Sequence, residues 1–231
     1  MGRDTNYLAK NKTYWEKGYT APNVDHPVFR FYGRILKHIK SDWQDVRLVD
    51  FGCGQGAAVE FFSRHGFNVK GVDFSETDVA AAQIRYPHLA DRFLICAPKP
   101  SDNNFYGFVD GIGVITAIQS LYYLSDEDFS DCIQMLYQSM EVGGIFFATM
   151  MGERCAEFFE NSEPIDNGLR VVKFKNDRID VDDYCISFIR DEEHLQQKFE
   201  MFKPLHIGYY AGKFRNDEGD NFHYTFCGIK T

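Results

Sequence analysis

Residues 48–56, Leu48-Val49-Asp50-Phe51-Gly52-Cys53-Gly54-Gln55-Gly56, carry the pattern that decides the fold. The apolar run that begins at Val46 predicts a short strand, and the glycines predict a sharp turn into a helix at Ala57. Glycine lets the backbone turn and lets a ligand approach without meeting a Cβ atom. The helix N-terminus adds free amide groups and a partial positive charge. The stretch therefore predicts a strand–turn–helix unit with a binding site at the turn.

The sequence around this turn alternates between strand and helix patterns. The predicted strands are residues 46–51, 67–73, 92–97, 108–116 and 145–151, and the predicted helices are 25–39, 57–65, 76–85 and 126–140. Asp25 is expected to cap the first of these helices, and Gly143-Gly144 to form a turn before the last of these strands. Such alternation predicts parallel strands whose crossover helices cover both faces of the sheet. Ligands bind such sheets in the crevice at the carboxyl ends of the strands.

The last third of the chain departs from this alternation. Residues 153–167 are expected to be irregular or partly helical. The following predicted elements are a hairpin of residues 169–175 and 178–189 with its turn at 175–177, a helix at 191–202, and strands at 205–213 and 222–230. Two strands this close in sequence pair antiparallel. We therefore predict an α/β fold, a three-layer α/β/α sandwich whose mostly parallel seven-stranded sheet has an antiparallel C-terminal strand.

Composition and charge exclude several classes of protein. The chain has 231 residues, of which 44% are hydrophobic and 26% are charged, as is typical of one globular domain. A net charge of −9 disfavours a nucleic-acid partner, because a duplex-binding surface carries a basic excess. No apolar run is long enough for a membrane span, and Met1 to Lys12 lacks a signal-peptide core. Six cysteines without a Cys-x-x-Cys pair predict reduced thiols, a cytoplasmic protein and no metal site.

An acid, Asp73, follows the second predicted strand. It lies 21 residues after Gly52, and a carboxylate at this spacing can accept both hydroxyl hydrogens of an adenosine ribose. A dinucleotide needs Gly-x-Gly-x-x-Gly or Ala, which Gly52, Gly54 and Ala57 satisfy. The pyrophosphate of a dinucleotide is negative, however, and Asp50 would repel it. A ligand with cationic groups would instead be attracted by an acid at this position.

Asp50 and the Gly-x-Gly-x-Gly of residues 52–56 resemble the first motif of the class I S-adenosylmethionine-dependent methyltransferases. The resemblance covers residues 46–151 and extends loosely to the C-terminus through Gly143-Gly144 and the final strand pair. It implies S-adenosylmethionine as the cofactor and S-adenosylhomocysteine as its product. We expect one domain, divided into an N-terminal helical cap (1–45), a cofactor-binding core (46–151), an inserted acceptor-site segment (152–190) and a C-terminal helix with the last two strands (191–231).

The resemblance also implies a set of cofactor contacts. These are Tyr14, Asp50, Gly52, Cys53, Gly54, Asp73, Phe74, Cys96, Ala97, Ile118 and Gln119. The chain departs from the family pattern in two places. Family members commonly have an Asp after the third strand, where this chain has Cys96-Ala97, and a Leu-His-His-Leu type motif after the fourth, where it has Leu121-Tyr122-Tyr123-Leu124. Residues 14–19, Tyr14-Trp15-Glu16-Lys17-Gly18-Tyr19, resemble an aromatic segment that closes over the cofactor in many small-molecule members.

Methyl transfer from a sulfonium is a direct displacement, because the leaving group is neutral and already activated. The protein has to align the acceptor atom, exclude water and, for a hydroxyl or ammonium acceptor, remove a proton. The candidates for catalytic help are His26, Tyr122 and His223. The candidates for acceptor binding are Tyr19, Tyr123, Glu153, Tyr184 and Tyr210.

We expect methylation of an oxygen or nitrogen of a small polar metabolite, for example a sugar-linked or phosphorylated one. The inserted segment carries basic residues that can pair with a phosphate or carboxylate, namely Arg154, Arg170, Lys173, Lys175 and Arg178. We expect a monomer or homodimer with no nucleic-acid or membrane partner. Two alternatives stay open, a NAD-dependent oxidoreductase and a non-catalytic S-adenosylmethionine-binding protein.

Overall fold

The computed structural model of the chain describes residues 8–12, 24–97, 105–108, 111–173, 183–216 and 220–231. The strands are β1 (Arg47–Phe51), β2 (Asn68–Asp73), β3 (Phe93–Ile95), β4 (Ile112–Ala117), β5 (Met140–Met151), β6 (Ser162–Pro164), β7 (Arg170–Val172), β8 (Tyr184–Ile186), β9 (Lys203–Tyr210) and β10 (His223–Ile229). The helix α1 has an α-helical part (His26–Phe31), a π-helical part (Tyr32–Leu36) and a last α-helical turn (Lys37–Ile39). The other helices are α2 (Ala57–Arg64), α3 (Glu76–Arg85), α4 (Asp126–Ser139), α5 (Ala156–Phe159) and α6 (Glu192–Lys198). Residues 8–12 form a helical turn.

Seven strands form the main sheet, in the order β3-β2-β1-β4-β5-β10-β9. The pairs from β3 across to β5 are parallel. Strand β10 lies between β5 and β9 and pairs antiparallel with both. The predicted seven-stranded sheet, mostly parallel with an antiparallel C-terminal strand, is confirmed.

The segment between β5 and α6 forms a second sheet of three strands, in the order β6-β7-β8. The predicted hairpin is the antiparallel β7–β8 pair, and its predicted turn, residues 175–177, lies outside the described residues. Helix α5 and strand β6 occupy the region expected to be irregular or partly helical. A parallel bridge between Gly152 and Ile189 joins this segment to the end of β5.

The helical turn of residues 8–12 is fixed to the second sheet by one buried side chain, Asn11. Its Nδ2 donates to the carbonyls of Tyr123 (3.2 Å) and Cys185 (2.9 Å). Its Oδ1 accepts from the amide of Cys185 at 2.7 Å. These bonds hold residues 8–12 against the second sheet, together with the packing of Leu8 on the core.

Strand β5 begins at Met140, earlier than the predicted start at Ile145. We predicted that Gly143-Gly144 would be a turn before the strand. The strand is irregular at these glycines, because Gly143 has a positive φ of +83° and the register against β4 shifts between the pair Ile112–Met140 and the pair Val114–Ile145. The amide of Gly143 donates to the carbonyl of Lys230 (2.8 Å), and the amide of Lys230 donates to the carbonyl of Gly144 (3.0 Å). The predicted turn is therefore present as an irregularity within a strand that begins earlier than expected.

Apolar clusters cover both faces of the main sheet. On one face, α1, α2 and α3 pack through residues such as Phe31, which stacks on Phe147 with 4.3 Å between ring centroids. On the other face, α4 and α6 pack on a group of phenylalanines, in which Phe199 stacks on Phe226 at 4.7 Å. These layers make the α/β/α sandwich.

Replacement of Phe199 by alanine should destabilise the fold strongly. Phe199 is fully buried, and its ring also contacts those of Phe129 and Phe146. The cavity left by Phe199→Ala should lower the free energy of unfolding by about 3–5 kcal/mol, measured by urea denaturation. Phe214, whose side chain is 96% exposed, is the matched control, and Phe214→Ala should change stability by less than about 0.5 kcal/mol. Equal midpoints for the two variants would show that Phe199 is not a core residue.

Candidate functional site

A cavity of about 300 Å³ opens at the carboxyl ends of the parallel strands. The loops that follow β1, β2, β3 and β4 all contribute to its wall. The start of α1 contributes Asp25 and Val28, and the turn of residues 8–12 contributes Leu8. This is the crevice where ligands bind in open α/β sheets.

Ten of the residues predicted from sequence line this cavity. They are Asp50, Gly52, Cys53, Gly54, Asp73, Phe74, Cys96, Ile118, Gln119 and Tyr123. Seven other candidates lie outside its wall, namely His26, Ala97, Tyr122, Glu153, Tyr184, Tyr210 and His223. Tyr14 and Tyr19 lie outside the described residues. The individual roles of all these residues stay predictions.

The three motif glycines are required for different reasons. Gly52 and Gly56 have positive φ angles (+74° and +86°), and a Cβ atom on them would approach Ser120 to 2.3 Å and Phe93 to 2.5 Å. Gly54 also has a positive φ of +49°, but a Cβ atom there would meet no protein atom within 4 Å. The packing of the protein itself therefore requires the outer two glycines, whereas Gly54 leaves space at the cavity.

The carboxylate of Asp73 joins the end of β2 to the glycine loop. Its Oδ2 accepts from the amide of Gly54 at 2.8 Å, and its Oδ1 accepts from the amide of Ser75 at 2.9 Å. Burial raises the pKa of Asp73 to about 6, and both amide donors oppose the rise. A carboxylate has about four acceptor positions, so Asp73 can accept two further hydrogen bonds from a ligand.

Asp50 is a buried carboxylate in the floor of the cavity. Strand pairing places it beside Thr116, whose Oγ1 donates to its Oδ1 at 2.6 Å. Burial raises the pKa of Asp50 to about 7, the Thr116 hydroxyl opposes the rise, and the negative charges of Asp73 and Asp25 add to it. The site therefore holds neighbouring acids that repel one another.

Gln119 has a strained backbone at the edge of the cavity. Its φ is +53°, in the left-handed region that residues other than glycine rarely adopt. Its amide donates to Thr149 Oγ1 at 2.8 Å, and its Nε2 donates to the Tyr210 hydroxyl at 3.1 Å. Strain of this kind concentrates at functional sites, although nothing in the sequence around Gln119 signals it.

Three residues predicted separately, Tyr122, Tyr210 and His223, form one cluster beyond Gln119. The imidazole of His223 lies parallel to the Tyr210 ring at 5.0 Å and lies 5.8 Å from the Tyr122 ring. His223 is 2% exposed, and neither of its ring nitrogens has a hydrogen-bond partner among the described residues. Burial lowers the pKa of His223 to about 4, and the backbone of Asn221 opposes the shift only in part. The imidazole is therefore neutral at neutral pH.

The other candidates outside the wall are not brought into this cluster. His26 is exposed at the first position of α1, and Glu153 lies in the turn after β5. Tyr184 is buried in β8, where its ring lies 6.3 Å from that of Phe158. Ala97 follows Cys96 but does not reach the cavity.

Sequence reasoning missed Asp25 as a wall residue. We predicted that it would cap α1, but its side chain makes no capping hydrogen bond. The missed wall residues also include Leu8, Ser120 and Leu124. Together with Asp25, these residues come from three parts of the chain, and only the three-dimensional fold brings them together.

The described ranges contain neither a cluster of metal-ligating side chains nor a membrane-spanning helix. Within those ranges, no group of three or more His, Cys, Asp or Glu residues is placed to hold a metal ion. The helices of the same parts of the chain are all too short or too polar to cross a membrane. All six cysteines are free thiols, and five of them are buried.

Asp50→Asn should stabilise the ligand-free protein at alkaline pH. The pKa of Asp50 is raised from an ordinary value of 3.8 to about 7 in the fold, so its ionisation costs stability as the pH rises through this interval. Asparagine keeps the shape and can still accept from Thr116. Thermal melting without ligand should show a higher midpoint for Asp50→Asn than for the wild type at pH 8, and a smaller difference at pH 5. The exposed Asp42 provides the control Asp42→Asn, and a pH dependence of Asp50→Asn equal to that of this control would contradict the raised pKa.

The chain is similar in sequence to a known protein family. Residues 23–214 match the profile of a family described as "Methyltransferase domain". No protein of curated function matches the chain at a significant level.

Several solved structures share the fold. An S-adenosylmethionine-dependent methyltransferase from Methanosarcina mazei has 13% identity and a TM-score of 0.65, over 85% of this chain and 97% of its own. Another from Clostridium acetobutylicum has 13% identity and a TM-score of 0.65, over 90% of this chain and 94% of its own. The magnesium protoporphyrin IX methyltransferase of Synechocystis PCC 6803 was solved with bound S-adenosylmethionine. It has 12% identity and a TM-score of 0.63, over 100% of this chain and 99% of its own. At these identities the likeness shows the fold, whereas the family match spans most of the sequence. The chain therefore belongs to the methyltransferase-domain family of class I S-adenosylmethionine-dependent methyltransferases.

Proposed function

We propose that the chain transfers the methyl group of S-adenosylmethionine to an oxygen or nitrogen of a small polar metabolite. The observation that carries the proposal is the cavity at the strand ends, where Asp50 and Asp73 flank the open glycine Gly54. S-Adenosylmethionine has a ribose diol at one end and an ammonium at the other. Asp73 supplies hydrogen-bond acceptors for the ribose diol, and Asp50 supplies negative charge for the ammonium.

The residues of the cavity fit this cofactor. Asp73 is suited to the ribose hydroxyls because its oxygens have acceptor positions left. Asp50 is suited to the ammonium because a bound cation would relieve its repulsion from the neighbouring acids. The wall near Cys96 offers backbone groups and apolar side chains to the adenine, in place of the Asp common in the family. When bound, the cofactor supplies an activated methyl group whose departure leaves a neutral thioether.

On the acceptor side, the residues of this chain align the substrate and take a proton. His223 is the proposed proton acceptor, because its imidazole is neutral and its nitrogens have no partner among the described residues. Tyr210, held by Gln119, and Tyr122 are proposed to orient the acceptor beside it. His26 is a weaker candidate because it is exposed and is not part of the cluster of Tyr122, Tyr210 and His223.

The charges of the described wall favour a neutral or cationic acceptor over a phosphorylated one. Its charged residues are Asp25, Asp50, Asp73 and Asp78, all acidic. Three basic residues of the inserted segment that the structure describes already have partners in the protein. Arg170 donates to Ser162 and Lys173 to Glu163, and Arg154 lies over the ring of Phe222. Lys175 and Arg178 lie outside the described residues.

Calorimetric titration tests the cofactor assignment. The wild type should bind S-adenosylmethionine and S-adenosylhomocysteine with dissociation constants on the order of micromolar, and should not bind NAD(H). Asp73→Ala should weaken binding by about 1.5–3 kcal/mol, because it removes charged hydrogen bonds. Glu76, exposed in the first turn of α3, gives the control Glu76→Ala. Unchanged affinity in Asp73→Ala would defeat the ribose assignment.

Release of S-adenosylhomocysteine with a panel of sugars, polyols, amines and phosphorylated metabolites tests the acceptor. We expect turnover with a neutral or cationic member. His223→Phe should then lower kcat by about 10²- to 10⁴-fold, as for loss of a general base, with cofactor affinity within about twofold. His206→Phe, at an exposed histidine of β9, is the matched control. A parallel loss of cofactor affinity would assign His223 a structural role, and no turnover with any member would favour the non-catalytic alternative.

A further inference from the structure

Asp25 occupies a helix-capping position without acting as a cap. It directly precedes α1, with extended backbone angles of φ −64° and ψ 143°. An Asp at this position usually accepts a hydrogen bond from an amide of the first turn. Here only its backbone carbonyl is used, as acceptor for the amide of Val28 at 3.0 Å. The carboxylate is therefore not needed to start the helix.

The carboxylate instead belongs to the cavity. Asp25 lines the cavity wall and is open to solvent, as expected for a residue at its rim. Its negative charge contributes to the raised pKa of Asp50, so the two acids act on the same space. The pKa of Asp25 is itself raised by partial burial.

The other three acids of the described wall already accept hydrogen bonds from neutral donors of the protein. Asp50 is bonded by Thr116, and Asp78 by Gln55 Nε2 at 3.2 Å. Asp73 is bonded by the amides of Gly54 and Ser75. No lysine, arginine or histidine lines the described wall to balance these charges. Asp25 is thus the acid whose charge is the least offset.

The cofactor and its product differ in the charge of one atom. The two molecules share the ribose, adenine, ammonium and carboxylate, but the sulfur is a cation in S-adenosylmethionine and neutral in S-adenosylhomocysteine. We propose that Asp25 is a specificity residue that makes the cavity prefer the sulfonium cofactor over the thioether product. The inference rests on the proposed function and deepens it, because a product that loses this attraction leaves the site more readily.

The test compares two ligands in one variant. Asparagine caps helices as well as aspartate does, so Asp25→Asn removes the charge and keeps the start of α1. Calorimetry at low salt should show the preference for S-adenosylmethionine over S-adenosylhomocysteine falling by about three- to tenfold, the size expected for one partly screened charge. The affinity for S-adenosylhomocysteine should change by less than about twofold.

A second variant and a third ligand serve as controls for this comparison. Asp42→Asn, remote from the cavity wall and equally exposed to solvent, should leave the ratio of the two affinities unchanged. Sinefungin, in which an amine replaces the methylsulfonium, should behave like the cofactor because it carries the positive charge. High salt should shrink the difference between the wild type and Asp25→Asn, because the rim is open to solvent.

The possible failures are distinguishable. If both ligands weaken equally in Asp25→Asn, or neither changes, Asp25 does not select for the sulfonium and the inference is wrong while the proposed function stands. If the wild type binds neither ligand, the proposed function fails and the inference fails with it. A melting midpoint of Asp25→Asn equal to that of the wild type excludes partial unfolding as the cause of any change in affinity.

Discussion

The hydrogen bond from the amide of Gly54 to the carboxylate of Asp73 fixes the shape of the site. It ties the loop after β1 to the end of β2, and the same carboxylate also holds the amide of Ser75 at the start of α3. The positive φ of Gly54 presents its amide to that carboxylate without a Cβ atom entering the cavity. The remaining wall residues are arranged around a loop that this one acid keeps in place.

A second constraint follows from the charges at the same edge of the sheet. Acids that lie close together and away from water repel one another and resist ionisation, as the raised pKa values of Asp50 and Asp73 show. Without a ligand these carboxylates lower the stability of the fold at neutral and alkaline pH. With a cation bound in the cavity, the same carboxylates would stabilise the fold. Stability and ligand preference therefore depend on the same side chains.

The sequence predicted what local patterns encode. Alternating apolar runs predicted the order of strands and helices, and the spacing of Asp50, Gly52 and Asp73 predicted one wall of the cavity. Contacts that depend on strand pairing could not be predicted. Tyr210 and His223 face each other because β10 runs antiparallel beside β9, and Tyr122 joins them from the segment after β4. The strain at Gln119 and the unused capping side chain of Asp25 are likewise set by tertiary packing, which overrides local preference.

The side chain of Asn11 has a consequence for association between copies of the chain. Strand β8 is at the border of the small sheet, and the exposed backbone of such a border strand is a template for aggregation. Asn11 engages both the amide and the carbonyl of Cys185, as a neighbouring strand would, and the amide of Ser187 donates to Tyr122 at 2.7 Å. These groups are therefore already satisfied within the chain, which protects this border against intermolecular β-pairing.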